Sequence, residues 1–259
     1  MSVRKLSILV PVFNERATVE QLLRKVASVP FPIEREIIAV DDGSTDGSRE
    51  VLRKLADEGL IRYVVHEANR GKGAAVRTAV EHADGDVVVI QDADLELEPN
   101  DLLRLLEPIL SGEANVCFGT RFAPPIPQAI RRLPTYWGNR VLNFISNRLN
   151  GLRISDCMVC YKMAVRSAVS RLGITESGFA VDSEITAKFA RMGYKIVERP
   201  IHYEPRSIAG GKKIRATDAF SHLLAMFRYR FFWSAGRVPT VPATAVPTAL
   251  ATPAAGASS

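Results

Sequence analysis

Residues 87–96 read Val-Val-Val-Ile-Gln-Asp-Ala-Asp-Leu-Glu, an apolar run that ends in three carboxylates. Four β-branched residues in a row predict a strand that is buried on both faces. Asp92, Asp94 and Glu96 follow at alternate positions and would point the same way if the chain stayed extended. Carboxylates at the mouth of a buried strand are costly without a cation, and few, partly open oxygen ligands suit Mg²⁺ or Mn²⁺. The alternative is a solvated loop after a core strand.

Strand-like and helix-like segments alternate on both sides of this stretch. Apolar, β-branched runs predict strands over 6–13, 36–40, 61–65, 87–90, 115–121, around 161–162 and over 195–198. Apolar residues at helical spacing predict helices over 17–29, 48–57, 74–82, 101–110 and 178–192, the first with Thr18 as its N-cap. This order predicts an α/β fold with a mostly parallel central sheet and helices on both faces. Ligands of such sheets collect at the carboxyl ends of the strands.

Two turns at predicted strand ends supply further candidates. Asp41-Asp42 follows the second strand, where a carboxylate is suited to a ribose or a base, although the pair can equally be a turn that starts a helix. Gly71-Lys72-Gly73 precedes a helix and makes Lys72 a candidate nucleotide-binding residue. The turn lacks Walker A spacing and is too short for Gly-x-Gly-x-x-Gly, so tight-turn glycines are the alternative interpretation.

Length, composition and charge limit the classes of protein to which this chain can belong. A chain of 259 residues with 47% hydrophobic and 24% charged residues is typical of one globular core with a small appendage. The net charge of +6 favours phosphate-rich ligands or an anionic membrane surface, and we predict no nucleic-acid partner. Three cysteines argue against a disulfide framework, and Cys157 and Cys160 are interpreted as bystanders because no second pair completes a zinc site. Without a signal segment or a long apolar run, the expected location is cytoplasmic, including the cytoplasmic face of a membrane.

The C-terminal half contains two amphipathic segments and a tail. Residues 128–150 interleave arginines with apolar residues, which is typical of a core-facing helix and less often of a membrane-surface helix. Residues 219–233 place five apolar side chains on one face, which suits a helix in a bilayer interface, with docking on the core as the alternative. Residues 237–259 are rich in Pro, Ala and Thr without periodicity and are predicted to be disordered.

Five short motifs, in order, carry a family resemblance. They are Pro-Val-Phe-Asn-Glu (11–15), Asp-Asp-Gly-Ser-Thr-Asp (41–46), Asn-Arg-Gly-Lys-Gly (69–73), Asp-Ala-Asp-Leu (92–95) and Gly-Thr-Arg (119–121). Together they resemble glycosyltransferase family 2. Phe-Ala-Val-Asp-Ser-Glu (179–184) and Pro-Ile-His-Tyr-Glu-Pro-Arg (200–206) are similar to the dolichyl-phosphate mannose synthase branch, which includes bacterial enzymes acting on undecaprenyl phosphate. The resemblance covers about residues 5–215.

The resemblance implies a GT-A (Rossmann-like) fold and a metal-dependent, inverting hexosyltransferase. The donor would be a nucleotide-sugar of the GDP-mannose or UDP-glucose type, and the acceptor a polyprenyl phosphate, undecaprenyl or dolichyl, at the membrane surface. We expect a catalytic domain over 1–215, an amphipathic helix over 216–235 and a disordered tail over 236–259. Mg²⁺ or Mn²⁺ would be the cofactor.

Site residues are carried over by position. Those expected to line the nucleotide are Pro11, Asn14, Glu15 and Asp42. Asp92 would contact the nucleotide or the metal, and Asp94 would hold the metal, with Glu96 beside them. Those expected to contact phosphates are Arg121 and Arg132 (acceptor), Arg206 (donor or acceptor) and Lys212 in a closing loop. Glu96 departs from the Gln that this branch often has, and Cys160 stands where a Gly is usual.

The type of acceptor decides whether a base is needed. A polyprenyl monophosphate is largely ionised near neutral pH, since its second pKa is about 6, and needs only positioning by arginine. A hydroxyl acceptor requires a carboxylate base, for which Asp182 and Glu184 are the candidates. Their alternative role is that of acids favoured at a helix N-terminus. A nucleotide-sugar-binding protein without transferase activity and a nucleotidyltransferase are the remaining alternatives, the latter disfavoured because Asn14-Glu15 occupies the place of its glycine-rich loop.

Overall fold

The computed structural model describes residues 3–131, 134–205 and 218–234. The strands are β1 (Lys5–Val12), β2 (Glu34–Asp42), β3 (Arg62–His66), β4 (Val87–Ile90), β5 (Val116–Thr120), β6 (Lys162–Val165) and β7 (Ile196–Pro200). They form one sheet in the order β3-β2-β1-β4-β6-β5-β7. Neighbouring strands run parallel except β6, which is antiparallel to β4 and β5. The prediction of a mostly parallel central sheet is therefore confirmed.

Helices connect these strands. They are α1 (Val19–Ser28), α2 (Ser48–Asp57), α3 (Lys72–Glu81), α4 (Asp101–Leu110), α5 (Gln128–Arg131), α6 (Pro134–Asn150), α7 (Arg166–Ser170), α8 (Val181–Arg191) and α9 (Asp218–Phe231). The chain moves outward from β1 to β3 and then returns to place β4 beside β1. Because such crossovers are right-handed, this reversal puts α1 and α2 on one face of the sheet and α3 on the other. The reversal also opens a crevice between the carboxyl ends of β1 and β4.

Several predicted boundaries differ in ways that matter for the site. β2 extends to Asp42, so both aspartates end a strand rather than start a helix. The third helix begins at Lys72, inside the glycine turn. The described residues of the predicted helix over 128–150 are helical in α5 and α6, whereas α7 was not predicted at all. Thr18 does precede α1, but its hydroxyl donates to the Glu15 side chain (2.9 Å) and to the Ala93 carbonyl (3.1 Å) instead of capping the helix.

Helix α9 packs on the core with one face only. Its buried residues are His222, Ala225, Met226 and Tyr229, and it lies against α8 and α6. Its opposite side exposes Phe220, Leu224, Phe227 and Phe231. The helix therefore docks on the core, as the alternative interpretation had it, and its placement in a bilayer interface stays a prediction. None of the helices in the described ranges has the length and apolar character needed to cross a membrane.

Candidate functional site

A cavity of about 1090 Å³ lies at the crevice between β1 and β4. Residues 11–13 at the end of β1 and 92–94 after β4 contribute to its lining, as the topology requires. Of the predicted site residues, the lining includes Pro11, Glu15, Asp42, Lys72, Asp92, Asp94, Glu96, Arg121 and Asp182. Residues placed on separate segments by sequence are thus brought to one cavity.

The loops at the end of β1 and β2 are tied together by hydrogen bonds. Asn14 adopts a left-handed conformation with φ of 51°, and its side-chain oxygen accepts the Thr45 N–H at 2.8 Å. The Glu15 N–H donates to the Ser48 hydroxyl at 2.8 Å. Asn14 itself is not in the cavity lining, whereas Glu15 is. The structure therefore places Asn14 as a residue that shapes the loop and Glu15 at the cavity.

Asp42 is buried and organises the glycine turn. Its carboxylate accepts the N–H groups of Arg70 (3.0 Å) and Gly71 (2.7 Å) and lies 2.7 Å from His66 Nδ1. Gly71 has φ of 92°, and a Cβ there would lie 2.4 Å from the Ser177 carbonyl oxygen. The N–H groups of Gly73 and Ala74 donate to that same carbonyl, at 2.7 and 3.2 Å. These glycines therefore serve a close approach of backbones, and the first N–H groups of α3 are already bonded by protein.

Lys72 leaves this turn and enters a cluster of paired charges. Its ammonium lies 2.8 Å from Asp92 Oδ1 and 3.5 Å from Asp182 Oδ2. Lys162 approaches the other oxygen of Asp182 at 2.9 Å. Burial by itself lowers the pKa of Lys72, but Asp182 and Asp92 outweigh it and hold that pKa well above its usual value. Burial likewise raises the pKa of Asp182, yet Lys162 and Lys72 prevail and the pKa is lowered.

The three acids after β4 are arranged differently from the extended geometry assumed for them. The chain bends at residues 93–96, and Asp94 Oδ1 accepts the N–H of Glu96 at 3.1 Å. Within the described residues, no three His, Cys, Asp or Glu side chains are gathered closely enough to hold a metal ion. All three acids nevertheless line the cavity. One or two carboxylates completed by substrate phosphates are the usual way Mg²⁺ is held, so this donor set fits such an ion.

Arg121 is held by a buried partner. Its Nε and Nη2 donate to the two oxygens of Asp156 at 2.7 and 2.8 Å, and its guanidinium lies over the rings of Phe122 and Tyr203. Burial lowers the pKa of Arg121, but the carboxylate of Asp156 outweighs it and the pKa is raised. The result is a permanently charged, rigidly placed cation on the cavity wall.

The structure does not bring every candidate to the cavity. Glu184 is fully buried and outside the lining, where it accepts the N–H groups of Thr175 and Glu176, both at 2.8 Å, and pairs with Lys188 at 2.5 Å. It fixes the turn that precedes α8 and lies in the first turn of that helix, which agrees with the alternative role of an acid at a helix N-terminus and not with that of a base at the cavity. Arg132, Arg206 and Lys212 lie outside the described residues, as does the predicted tail over 236–259.

Three residues of the site were missed or dismissed. Lys162 was named only as part of a strand, yet a lysine among Tyr161, Met163 and Ala164 is itself a sign of a buried ion pair. Cys160 was interpreted as a bystander, but its thiol lies in the cavity lining. His222 lines the cavity from α9, a segment for which the sequence left a bilayer interface and docking on the core as alternatives. Because α9 has apolar residues on two faces, the sequence carries no signal that His222 faces the cavity.

Comparison with known proteins agrees with this geometry. The family model for glycosyl transferase family 2 matches residues 7–173. Glycosyltransferase AglJ of Haloferax volcanii is 32% identical over 200 residues, covering 77% of this chain and 63% of its own length. The undecaprenyl-phosphate 4-deoxy-4-formamido-L-arabinose transferase of Pseudomonas aeruginosa is 33% identical over 188 residues, covering 67% of this chain and 54% of its own length. The dodecaprenyl-phosphate galacturonate synthase of Rhizobium johnstonii is 30% identical over 176 residues, covering 65% of this chain and 51% of its own length.

Solved structures give the fold. The UDP complex of glucosyl-3-phosphoglycerate synthase from Mycobacterium tuberculosis has a TM-score of 0.68 at 20% identity, covering 90% of this chain and 82% of that one. The complex of the same synthase with Mn²⁺, UDP and phosphoglyceric acid has a TM-score of 0.66 at 20% identity, covering 90% of this chain and 81% of that one. The GT-A fold expected from the motifs is thereby confirmed. The chain spans between about half and just under two thirds of the length of the curated relatives named above. With the family model over more than half of its residues, the chain belongs to glycosyl transferase family 2.

Proposed function

We propose that this protein transfers a hexose from a nucleotide-sugar, of the GDP-mannose or UDP-glucose type, to a polyprenyl phosphate at a membrane surface. The observation that carries the choice of acceptor is the state of Asp182. Lys162 and Lys72 lower its pKa, and a carboxylate with a depressed pKa is a poor general base near neutral pH. Glu184, the other candidate base, is outside the cavity lining. Neither of the two candidate bases is thus suited to deprotonate a hydroxyl, which favours an acceptor that is already an anion.

The donor would bind across the crevice between β1 and β4. Pro11, Glu15 and Asp42 would border the nucleotide, with Asn14 shaping the loop that carries them. Lys72 would face the diphosphate, since it is the cavity-lining lysine beside Asp92. In this placement, negative charge that builds on the departing diphosphate meets a fixed cation in a site sheltered from water. Direct attack by the acceptor on the anomeric carbon would invert its configuration.

A divalent ion fits the acids after β4. Asp92 and Asp94 would hold Mg²⁺ or Mn²⁺ with Glu96 beside them, and the ion when bound would supply Lewis-acid stabilisation of the diphosphate. Complexes of a structural neighbour contain Mn²⁺ or Mg²⁺ with UDP, which supports this assignment. Arg121 would meet the acceptor phosphate, because Asp156 holds its guanidinium in one orientation at the cavity wall. Arg132, Arg206 and Lys212 keep their proposed contacts with phosphates.

Membrane association is proposed on an apolar surface of two packed helices. We define this outer apolar face by its exposed residues: Trp137, Val141 and Phe144 of α6, Phe220, Leu224, Phe227 and Phe231 of α9, and the adjoining Phe232. Exposed apolar side chains gathered on adjacent helices are typical of a binding surface. Exposed Arg140 and Arg228 lie on the same two helices and suit anionic lipid. The relatives named above that act on undecaprenyl or dodecaprenyl phosphate support a lipid-linked acceptor.

One experiment tests donor and acceptor together. The purified chain is incubated with GDP-mannose, UDP-glucose or UDP-GlcNAc, each labelled in the sugar, with and without polyprenyl phosphate and with Mg²⁺, Mn²⁺ or EDTA. We expect labelled lipid product from one donor, only with the lipid and a divalent ion. Product on a sugar hydroxyl but not on the lipid would contradict the proposed acceptor. Nucleotide binding without any product would identify a binding protein instead.

A further inference from the structure

Helix α9 forms part of the cavity wall, although the sequence placed it outside the catalytic domain, either in a bilayer interface or docked on the core. Asp218, Ala219 and His222 of α9 are in the cavity lining, together with Gly138 and Asn139 of α6. Hydrogen bonds attach α9 to the turn that precedes α8: Tyr229 Oη lies 2.7 Å from Thr175 Oγ1 and 2.8 Å from Glu176 Oε1. The position of α9 is therefore fixed by polar contacts and not by apolar packing alone. Whatever occupies this side of the cavity meets side chains of α9.

His222 is a polar residue of this wall. Its side chain is buried with 7% of the residue exposed, and Nδ1 lies 3.0 Å from Ser183 Oγ. Within the described residues the other ring nitrogen, Nε2, has no hydrogen-bond partner. His222 lines the cavity, so a ligand or water there can supply the partner that the described protein groups do not give this nitrogen. This makes Nε2 a position at which substrate can be bound.

The surroundings of His222 fix its protonation. Burial lowers its pKa, and the nearby Lys162 and Lys72 lower it further, whereas Asp182 and Asp218 act against them. The net direction is downward, so the ring is neutral near pH 7. The Ser183 hydroxyl has a ring nitrogen at 3.0 Å as its better acceptor, compared with the Met158 sulfur at 3.9 Å. When that hydroxyl donates to Nδ1, the ring proton is on Nε2 and is available for donation into the cavity.

We propose that His222 is a substrate-contacting residue that donates from Nε2 to a phosphate oxygen of the isoprenoid phosphate acceptor. This inference rests on the proposed function and adds a residue to its acceptor site. The assignment to acceptor and not donor follows from position: the nucleotide side of the cavity is built by loops after β1 and β2, whereas His222 is on a helix whose other face is apolar and exposed. The isoprenoid tail of the acceptor would lie on that face and its phosphate in the cavity, so that one acceptor molecule would contact both sides of α9. His222 is the point where the helix meets the headgroup.

Three single variants distinguish a contact between His222 and the substrate from a purely structural role of His222. His222→Asn removes the Nε2 donor, while its amide can still accept from the Ser183 hydroxyl near the former position of Nδ1. Ser183→Ala removes that contact between α8 and α9 but leaves the imidazole in the cavity wall. His82→Asn makes the identical chemical change at an exposed position on the C-terminal side of α3. Thermal unfolding is measured for each, so that kinetic effects are compared between proteins folded to the same degree.

Kinetics give the first readout. Loss of a hydrogen bond to a charged group is worth roughly 10- to 100-fold in binding, so we expect His222→Asn to raise the KM for farnesyl phosphate or polyprenyl phosphate by that factor. The KM of the nucleotide-sugar should stay within about twofold, and His82→Asn should match the parent. The effect of Ser183→Ala should be smaller than that of His222→Asn. Equal effects of these two variants, or a loss shared equally by donor and acceptor, would overturn the proposal.

NMR gives a second readout that needs no turnover. The chain has four histidines, and the imidazole signal absent from His222→Asn identifies His222. Farnesyl phosphate should shift that signal in the parent protein and in Ser183→Ala, and a nucleotide diphosphate alone should not. A shift without any sugar transfer would leave the His222 assignment standing and refute the proposed reaction. Transfer to lipid with an unshifted His222 signal would refute the assignment alone.

Discussion

Glu36 shows how a residue outside the cavity contributes to stability through ionisation. Burial acts to raise its pKa, but hydrogen bonds from Ser7, the Asp84 N–H, Arg62 and Lys5 outweigh it and lower the pKa from 4.5 to about 2. A depressed folded-state pKa means that this stabilisation is fully present above pH 4.5 and is lost as the pH falls toward 2. We expect Glu36→Gln to flatten the decline of unfolding free energy between pH 5 and pH 2, measured by urea titration. A decline as steep as the parent's would contradict this.

The charge cluster at the cavity yields a stability prediction at the same scale. Lys162 and Asp182 are both nearly inaccessible and lie 2.9 Å apart. Removing one member of a buried pair leaves the other uncompensated, so Asp182→Asn should lower the free energy of unfolding by about 3–5 kcal/mol. The double variant Asp182→Asn/Lys162→Met removes both charges and should recover part of that loss. Urea unfolding of the two variants checks this, and a double variant less stable than Asp182→Asn would be the contrary result.

Gly73 and Gly138 form a matched pair of helical glycines. A Cβ at Gly73 would lie 2.2 Å from the Glu176 carbonyl oxygen, whereas a Cβ at Gly138 meets nothing within 4 Å. Gly73→Ala should therefore destabilise the protein by about 2 kcal/mol or more, because backbone must shift. Gly138→Ala should be neutral or stabilise by up to about 1 kcal/mol, since Ala has the higher helix propensity. Calorimetric unfolding of both variants tests whether the glycine turn exists for packing.

Among the elements, those with strong local signals could be predicted and those fixed by distant contacts could not. The unbroken apolar run of β4 identified a strand buried on both faces. The spacing of Val19, Leu22, Leu23 and Val26 identified α1, because burial on one helix face repeats at a fixed period. The short helix α7 carries no such period. The start of α3 at Lys72 depends on the Ser177 carbonyl, a partner over a hundred residues away.

Some residues of the site could likewise be predicted from local sequence, and others could not. The aspartates after β2 and β4 could be placed at one edge because parallel strands end together. That Asp182 and not Glu184 reaches the cavity depends on Lys162 and on the turn at Thr175, which no local pattern reveals. His222 was unpredictable for a related reason: its helix has apolar residues on two faces, and periodicity does not say which face the core covers.

Docking of α9 gives a prediction at the scale of the element. The Tyr229 hydroxyl makes two hydrogen bonds to the turn before α8, and its ring lies over the Lys188 ammonium, 4.6 Å from the centroid. Tyr229→Phe keeps the ring but loses both hydrogen bonds, so we expect about 1–2 kcal/mol less stability. Hydrogen exchange should become faster in α9 and remain unchanged in β1 and β4. Uniform acceleration over all three would show that α9 does not open by itself.

For the whole molecule, the cavity and the outer apolar face have a fixed relation, because α6 and α9 contribute to both. Gly138 and His222 line the cavity, while Phe144 and Phe220 on the same helices are 70% and 72% exposed. A lipid-linked acceptor could then keep its tail in the bilayer while its phosphate reaches the site. Burial of large apolar side chains is worth about 1.5–3 kcal/mol each, so a few of them suffice for binding to a membrane surface.

This relation predicts where membrane binding can be abolished. Co-sedimentation with vesicles of phosphatidylcholine and phosphatidylglycerol should detect the parent, and Phe220→Ser/Leu224→Ser/Phe227→Ser should weaken binding by about 100-fold or more. Val65→Ser/Leu110→Ser is the control, because these side chains are 41% and 40% exposed but lie on β3 and α4. The control should bind as the parent does, and higher salt should weaken the parent only in part, since apolar burial is not screened. Equal losses in the two variants would mean that the outer apolar face is not the membrane-binding surface.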